Sequence, residues 1–175
     1  MNRLTTWLAG VGLVFTVGCA PDGASLSDQA PRLYEPKQIE ILPFTKIGTF
    51  DDDEIPDGVE VVLRPVDAMG DAMKAYGRYH VELHEYQKAT AQRAGERLLF
   101  WQVQVKTVGD QRRYWDRITR TYQFQLAWDR PLVPNEKYWL HVTYFPPGEE
   151  QRRLYAEHVL DFRVPVDRLR EVWRQ

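Results

Sequence analysis

The sequence predicts an all-β protein, a single antiparallel β-sandwich of about seven strands. Three observations lead there. The chain has 175 residues, 43% hydrophobic and 27% charged, which suits one globular core of ordinary size. Short segments from Lys37 onward alternate apolar and polar residues with a period of two, as half-buried strands do. The stretches between them are rich in Gly, Pro, Asp and Asn, the residues that turn a chain back on itself.

The first eighteen residues come before that pattern. Arg3 precedes an apolar stretch from Leu4 to Val17 that ends at Gly18, the layout of a secretory signal peptide at 1–18. The stretch is shorter than the roughly 20 residues a spanning helix needs. Phe15-Thr16-Val17-Gly18-Cys19 resembles the lipobox of bacterial lipoproteins, with Thr16 where that family usually has Leu, Val or Ile. The resemblance implies that Cys19, the only cysteine, is thioether-linked to diacylglycerol and becomes the mature N-terminus, so that the protein is exported and membrane-anchored through its lipid. Ala20 after the cysteine, rather than Asp, favours the outer membrane by the same resemblance, facing the periplasm or the cell surface. Residues 19–36 then read as the lipidated N-terminus and a tether, with Pro21, Pro31, Pro36 and Gly23 among small and polar residues. A flexible segment of that length reaches about 20 to 25 Å.

The sandwich is expected over 37–165. Its strands are Gln38–Leu42, Gly58–Val66, Tyr76–Tyr86, Arg97–Lys106, Thr121–Trp128, Lys137–Phe145 and Leu154–Val164. The clearest is the fifth, where Tyr122, Phe124, Leu126 and Trp128 share one face and Thr121, Gln123 and Gln125 the other. Loops fall at Asp51–Gly58, Asp67–Asp71, Lys88–Gly95, Val108–Arg117, Arg130–Asn135 and Pro146–Gly148. In 166–175, Val166, Leu169, Val172 and Trp173 recur at helical spacing behind Asp167, which predicts a short capped C-terminal helix. The stretch Gly58 to Leu83, a strand, an Asp67-Ala-Met-Gly70-Asp71 turn and a second strand, resembles bacterial immunoglobulin-like and transthyretin-like modules. That resemblance implies an Ig-like sandwich and adds weight to a binding role; a fold alone carries no function.

Composition excludes several chemistries. With 23 Lys and Arg against 25 Asp and Glu, a net charge of −2 offers no long-range attraction for nucleic acid. The only serines, Ser25 and Ser27, lie in the tether, so the folded body has neither a serine nor a cysteine nucleophile. Gly70, Gly77, Gly95 and Gly109 are isolated and form no phosphate-cradling loop. No cofactor is expected beyond a metal ion, Zn²⁺ or Ca²⁺, for which two stretches qualify. Alternation puts His80, Glu82 and His84 on one face of a strand; same-face neighbours stand about 6 to 7 Å apart, a span two imidazoles close on one ion. The same pattern is equally that of an ordinary solvent-facing strand. His158 falls on an apolar face with Ala156, Leu160 and Phe162, and His141 has no assignable partner.

The second stretch, Thr49 to Glu60, resembles the calcium loops of thrombospondin type 3 repeats. The resemblance implies Asp51, Asp53, Asp57 and Glu60 as ligands, with Thr49 in place of the first aspartate and Glu54 in place of the turn glycine. Without an ion, the run is a solvated loop of like charges.

Six Trp and nine Tyr exceed what a core of this size needs, so some are expected at the surface. If Tyr138, Leu140, Val142 and Tyr144 face inward, then Trp139, His141 and Phe145 face outward. Arg112 to Arg120 sets four arginines around Tyr114 and Trp115, the composition of an interface hot spot. Tyr114, Trp115, Arg113, Arg117 and Trp139 are therefore the candidate ligand or partner contacts, unless a second layer covers them. The expectation is a lipid-anchored envelope module that binds or supports rather than catalyses. Its partners would be the membrane, through the N-terminal lipid, and an envelope protein or glycan, not nucleic acid. The alternatives are a carbohydrate-binding module using surface aromatics and a metal protein using the His-x-Glu-x-His strand.

Overall fold

A computed structural model describes residues 34–51, 55–89, 93–128, 132–148 and 151–163. These residues form an antiparallel sandwich with one short helix among them. In order, the elements are β1 (Gln38–Ile41), β2 (Lys46–Gly48), β3 (Gly58–Val66), β4 (Gly77–Tyr86), β5 (Ala94–Val105), α1 (Val108–Tyr114), β6 (Trp115–Asp116), β7 (Thr121–Ala127), β8 (Lys137–Phe145) and β9 (Leu154–Asp161). One sheet runs β1-β3-β7-β6, with β2 also paired to β3; the other runs β5-β4-β8-β9. This is the strand order of immunoglobulin sandwiches, with β5 added at the edge beside β4. The segments predicted as a signal peptide, a lipidation site and a C-terminal helix lie outside the described residues.

The predicted strands form because their alternation lets each sheet turn one row of side chains inward. Val59, Val61 and Leu63 of β3, Tyr79, Val81 and Leu83 of β4, and Leu140, Val142 and Tyr144 of β8 are all buried between the layers. Four aromatics meet at the centre: Tyr79 lies 5.8 Å from Tyr122, 5.3 Å from Phe124 and 4.9 Å from Tyr144, ring centre to ring centre. Buried tyrosines need partners for their hydroxyls, and these converge on one short backbone segment. Tyr79 Oη donates to Ala75 O at 2.9 Å and Tyr144 Oη to Tyr76 O at 2.6 Å. Tyr122 Oη accepts from Ala75 N at 2.9 Å and lies 2.8 Å from Gln111 Oε1, the nearer of its two acceptors. Burial pushes the phenol of Tyr79 well above its ordinary range, and neighbouring Tyr122 and Tyr144 push it further, so the cluster stays neutral.

A fourth tyrosine fixes the connection between the sheets. Tyr138, at the start of β8, donates to Val133 O at 2.8 Å, five residues upstream, the geometry of the tyrosine corner in immunoglobulin domains. Two positions on stands Leu140, fully buried in the core. On the open side, Trp101 Nε1 of β5 donates to Ala127 O of β7 at 2.7 Å and ties the two sheets together.

The structure differs from the sequence reading in four places. The predicted strand Gln38–Leu42 is β1, and a further strand that was not predicted, β2, follows it on β3; Thr45 Oγ1 fills the gap between them by accepting from Val62 N at 3.0 Å. β5 begins at Ala94, inside the predicted loop, because β4 supplies ladder partners as far as Tyr86↔Ala94. Part of the predicted loop Val108–Arg117 is helix α1, closed by a capping box in which Thr107 and Asp110 each accept or donate across the first turn. The last tether residues are held against the sandwich: Arg152 bonds the Glu35 carboxylate and donates to Pro36 O, and that contact holds the Glu35 carboxyl below its ordinary range.

Two substitutions test this packing. Tyr138→Phe leaves Val133 O without its donor and is expected to lower stability by about 1 to 2 kcal/mol in urea unfolding. Gly77→Ala sets a Cβ 2.5 Å from Phe145 O and 2.7 Å from the Tyr144 ring at a φ of 155°, and is expected to cost more, about 2 to 4 kcal/mol. Wild-type midpoints in both would refute these roles.

Candidate functional site

The outward face of the four-stranded sheet gathers the chemistry-bearing residues that the sequence spreads over four strands. On β4, Arg78, His80, Glu82 and His84 all face out and are half-buried, as the alternation requires. Register brings them neighbours. His80 stands between Gln102 and Thr143, Glu82 between Phe100 and His141, and His84 between Arg97 and Trp139.

His80, Glu82 and His84 share the face, with Glu82 and His84 in contact and His80 turned away from them. His84 Nδ1 lies 3.2 Å from Gly95 O and Nε2 3.1 Å from Glu82 Oε2. Glu82 is also 3.6 Å from Arg97. His80 turns to Gln102, with Nε2 3.2 Å from Oε1, and its ring packs 5.2 Å from Phe100 and 4.6 Å from Phe145. Among the described residues no three His, Cys, Asp or Glu side chains gather as a metal site requires. Desolvation lowers the pKa of His80, against the pull of its bond to Gln102.

The acidic loop is likewise occupied with its own backbone and neighbours. Asp57 Oδ1 accepts from Phe50 N at 3.0 Å, and Glu60 pairs with Lys46 at 3.5 Å. Asp51 is exposed, and Asp53 lies outside the described residues.

The aromatic candidates require one clear correction. Trp139 does face outward on β8, but it is only 9% exposed, covered within the row of His84 and Val159; a flat tryptophan platform is not present there. Tyr114 and Trp115 are half-buried, packed edge-on against Phe124 at 5.2 Å and Tyr122 at 5.0 Å. With Arg113, Gln123 and Gln125 they line a cleft of about 360 Å³ beside β7. Arg113 lies over the Tyr114 ring at 5.2 Å, and Arg117 is exposed in the next turn. His158 is half-buried on the inner side, and desolvation lowers its pKa; His141 finds a partner in Tyr155, stacked in parallel at 5.7 Å.

One cluster was not singled out from sequence. Arg78 and Arg153 lie over the same ring, Phe145, at 4.8 and 5.3 Å, while His80 packs on it too. Such cation–π pairs hold guanidinium groups on an aromatic surface. Arg78 Nε is buried and has no hydrogen-bond partner among the described residues. Alternation gives Arg78 and His80 together, but only the pairing of β4 with β8 reveals that Phe145 sits beside them. At the two edges of this face Phe100 and Tyr155 are 45% and 55% exposed, leaving aromatic surface that a ligand can cover.

No family model, curated protein or solved structure matches the chain.

The two desolvated histidines make a pH prediction. Their folded pKa values lie below the ordinary 6.5, so the unfolded chain takes up protons first as pH falls. Their contribution is complete above about pH 6.5 and declines below it. The urea midpoint is expected to fall between pH 7.5 and pH 5.5, and less steeply in His158→Leu. An identical pH dependence in that variant would exclude His158 as a source.

Proposed function

We propose that the protein is a lipid-anchored binding or structural module of the bacterial cell envelope, without catalytic activity, and that its ligand face is the outward side of β5-β4-β8-β9. The observation that carries the ligand face is the group of Arg78, His80 and Arg153 around Phe145. It combines guanidinium donors, a titratable ring and apolar surface on a rigid sheet, the mixture that recognises polar ligands with a flat side. The anchor rests on Val17-Gly18-Cys19 following the apolar leader. Lipid chains contribute about 0.8 kcal/mol per buried methylene, and more than one chain is needed for lasting attachment.

A carbohydrate ligand is the second reading, favoured by the exposure of Phe100 and Tyr155 at the two edges of the same face. Sugar rings stack on such side chains, and Gln102 and Arg78 beside them supply donors.

The anchor is tested by labelling cells with a radioactive fatty acid. Wild type is expected to incorporate label and sediment with membranes; Cys19→Ser is expected to lose both. Label-free wild type that still sediments would refute lipidation. For the ligand face, binding to envelope glycans is expected to weaken at least tenfold in Phe100→Ala with Tyr155→Ala, and equal binding by that variant would remove the carbohydrate reading.

A further inference from the structure

One end of the sandwich holds features that the sheet face does not use. Antiparallel pairing brings to this end the start of β1, the β3–β4 and β6–β7 connections, α1 and the β8–β9 connection. Three large apolar side chains project from it into solvent: Ile118 is 93% exposed, Val108 68% and Met69 64%. Scattered exposed apolar residues are ordinary, but a group at one end marks a contact surface.

Each of the three is held out by a built turn. Asp67 Oδ1 accepts from Met69 N at 2.9 Å and Asp71 N at 3.0 Å. Asp110 Oδ2 accepts from Lys106 N and Thr107 N at 2.9 and 2.8 Å, next to Val108. Asp116 Oδ1 accepts from Ile118 N at 2.7 Å and Thr119 N at 2.8 Å. Arg120, at a φ of 56°, closes that last turn and donates to Ala72 O at 2.7 Å, joining it to the turn that carries Met69. Those three aspartates thus face backbone amides, whereas Lys106, Arg112, Arg113 and Arg117 are exposed around the apolar tips. Across 67–76 and 106–120 the sequence has six Lys and Arg to four Asp. The β2–β3 connection, at the opposite end, has Asp51, Asp52, Asp53, Glu54 and Asp57 and no cation.

The chain's path toward Cys19 leaves from the same basic end. Tyr34, the first described residue, is 70% exposed there, and Lys37 N bonds Val66 O at the start of the β1–β3 ladder. Cys19 is fifteen positions earlier, at most about 50 Å of fully extended chain.

We propose that this end is a bilayer-contacting tip. Met69, Val108 and Ile118 enter the interface of an anionic membrane, and the surrounding Lys and Arg meet its phosphates. The domain then stands end-on over its anchor, with the acidic end directed away and the β5-β4-β8-β9 face open to the side. The orientation rests on the anchored reading of Cys19; the tip itself does not.

The test uses the full chain with an environment-sensitive fluorophore on Ile118→Cys or, beside the middle of β3 and away from the tip, Phe44→Cys, bound to phosphatidylcholine vesicles with and without phosphatidylglycerol. Spin-labelled lipid is expected to quench the probe at 118 at least about threefold more than that at 44, only when phosphatidylglycerol is present. Arg113→Glu with Arg117→Glu, or salt near 0.5 M, is expected to halve that difference. Equal quenching at both positions, or a difference untouched by the charge reversal, overturns the tip. The mass of the N-terminal peptide reports acylation separately. If Cys19 carries no lipid, the anchored reading fails. The same probe pair in Cys19→Ser then decides the tip alone: quenching confined to 118 supports it, and none overturns it.

Discussion

Three tyrosine hydroxyls, from Tyr79 on β4, Tyr122 on β7 and Tyr144 on β8, end on the backbone of Ala75 and Tyr76. The rings that carry them fill the centre of the sandwich, so one segment answers for packing and polar satisfaction together. Filling this space with phenylalanine would keep the apolar contacts and lose the hydrogen bonds that fix where the β3–β4 connection enters the sheet. That entry sets the start of β4 at Gly77, pressed against Phe145 O and the Tyr144 ring. From there the ladder with β8 follows residue by residue. The outward face depends on that register, because a slip by one residue would exchange Arg78, His80 and Glu82 for Tyr79, Val81 and Leu83.

The outward face is more than a plain solvated surface, since Arg78, His80, Glu82 and His84 are all half-buried. Glu82 bonds His84 and pairs with Arg97, while Arg78 and Arg153 both lie over the Phe145 ring. Desolvation around His80 follows from this crowding. A strand of this kind, polar by composition and half-buried in fact, keeps its side chains in fixed positions, which is what a recognition surface needs.

The two ends of the molecule differ as much as its two faces. Turns closed by Asp67, Asp110 and Asp116 direct carboxylates inward to amides and leave cations and apolar tips outside. The far end collects the acidic connection instead. Such an axis gives the domain a preferred orientation at any negatively charged surface.

The sequence by itself determined the architecture, because the period-two alternation that names a strand also names its buried face. Seven of the strands, the inward set of Tyr122, Phe124 and Leu126, and the common face of His80, Glu82 and His84 follow from local spacing alone; the short β2 and β6 do not. Trp139 shows where this ends. Its parity was legible, but its burial was not, since cover comes from neighbours on β4 and β9 that lie far away in the chain. Helix α1 was missed because its capping box, Thr107 with Asp110, sits in a stretch too short and polar to show helical periodicity. The pairing of Arg78 and Arg153 over Phe145, and the meeting of Met69, Val108 and Ile118 at one end, were decided only by tertiary structure. Strand register and direction, which no local spacing specifies, bring those residues together.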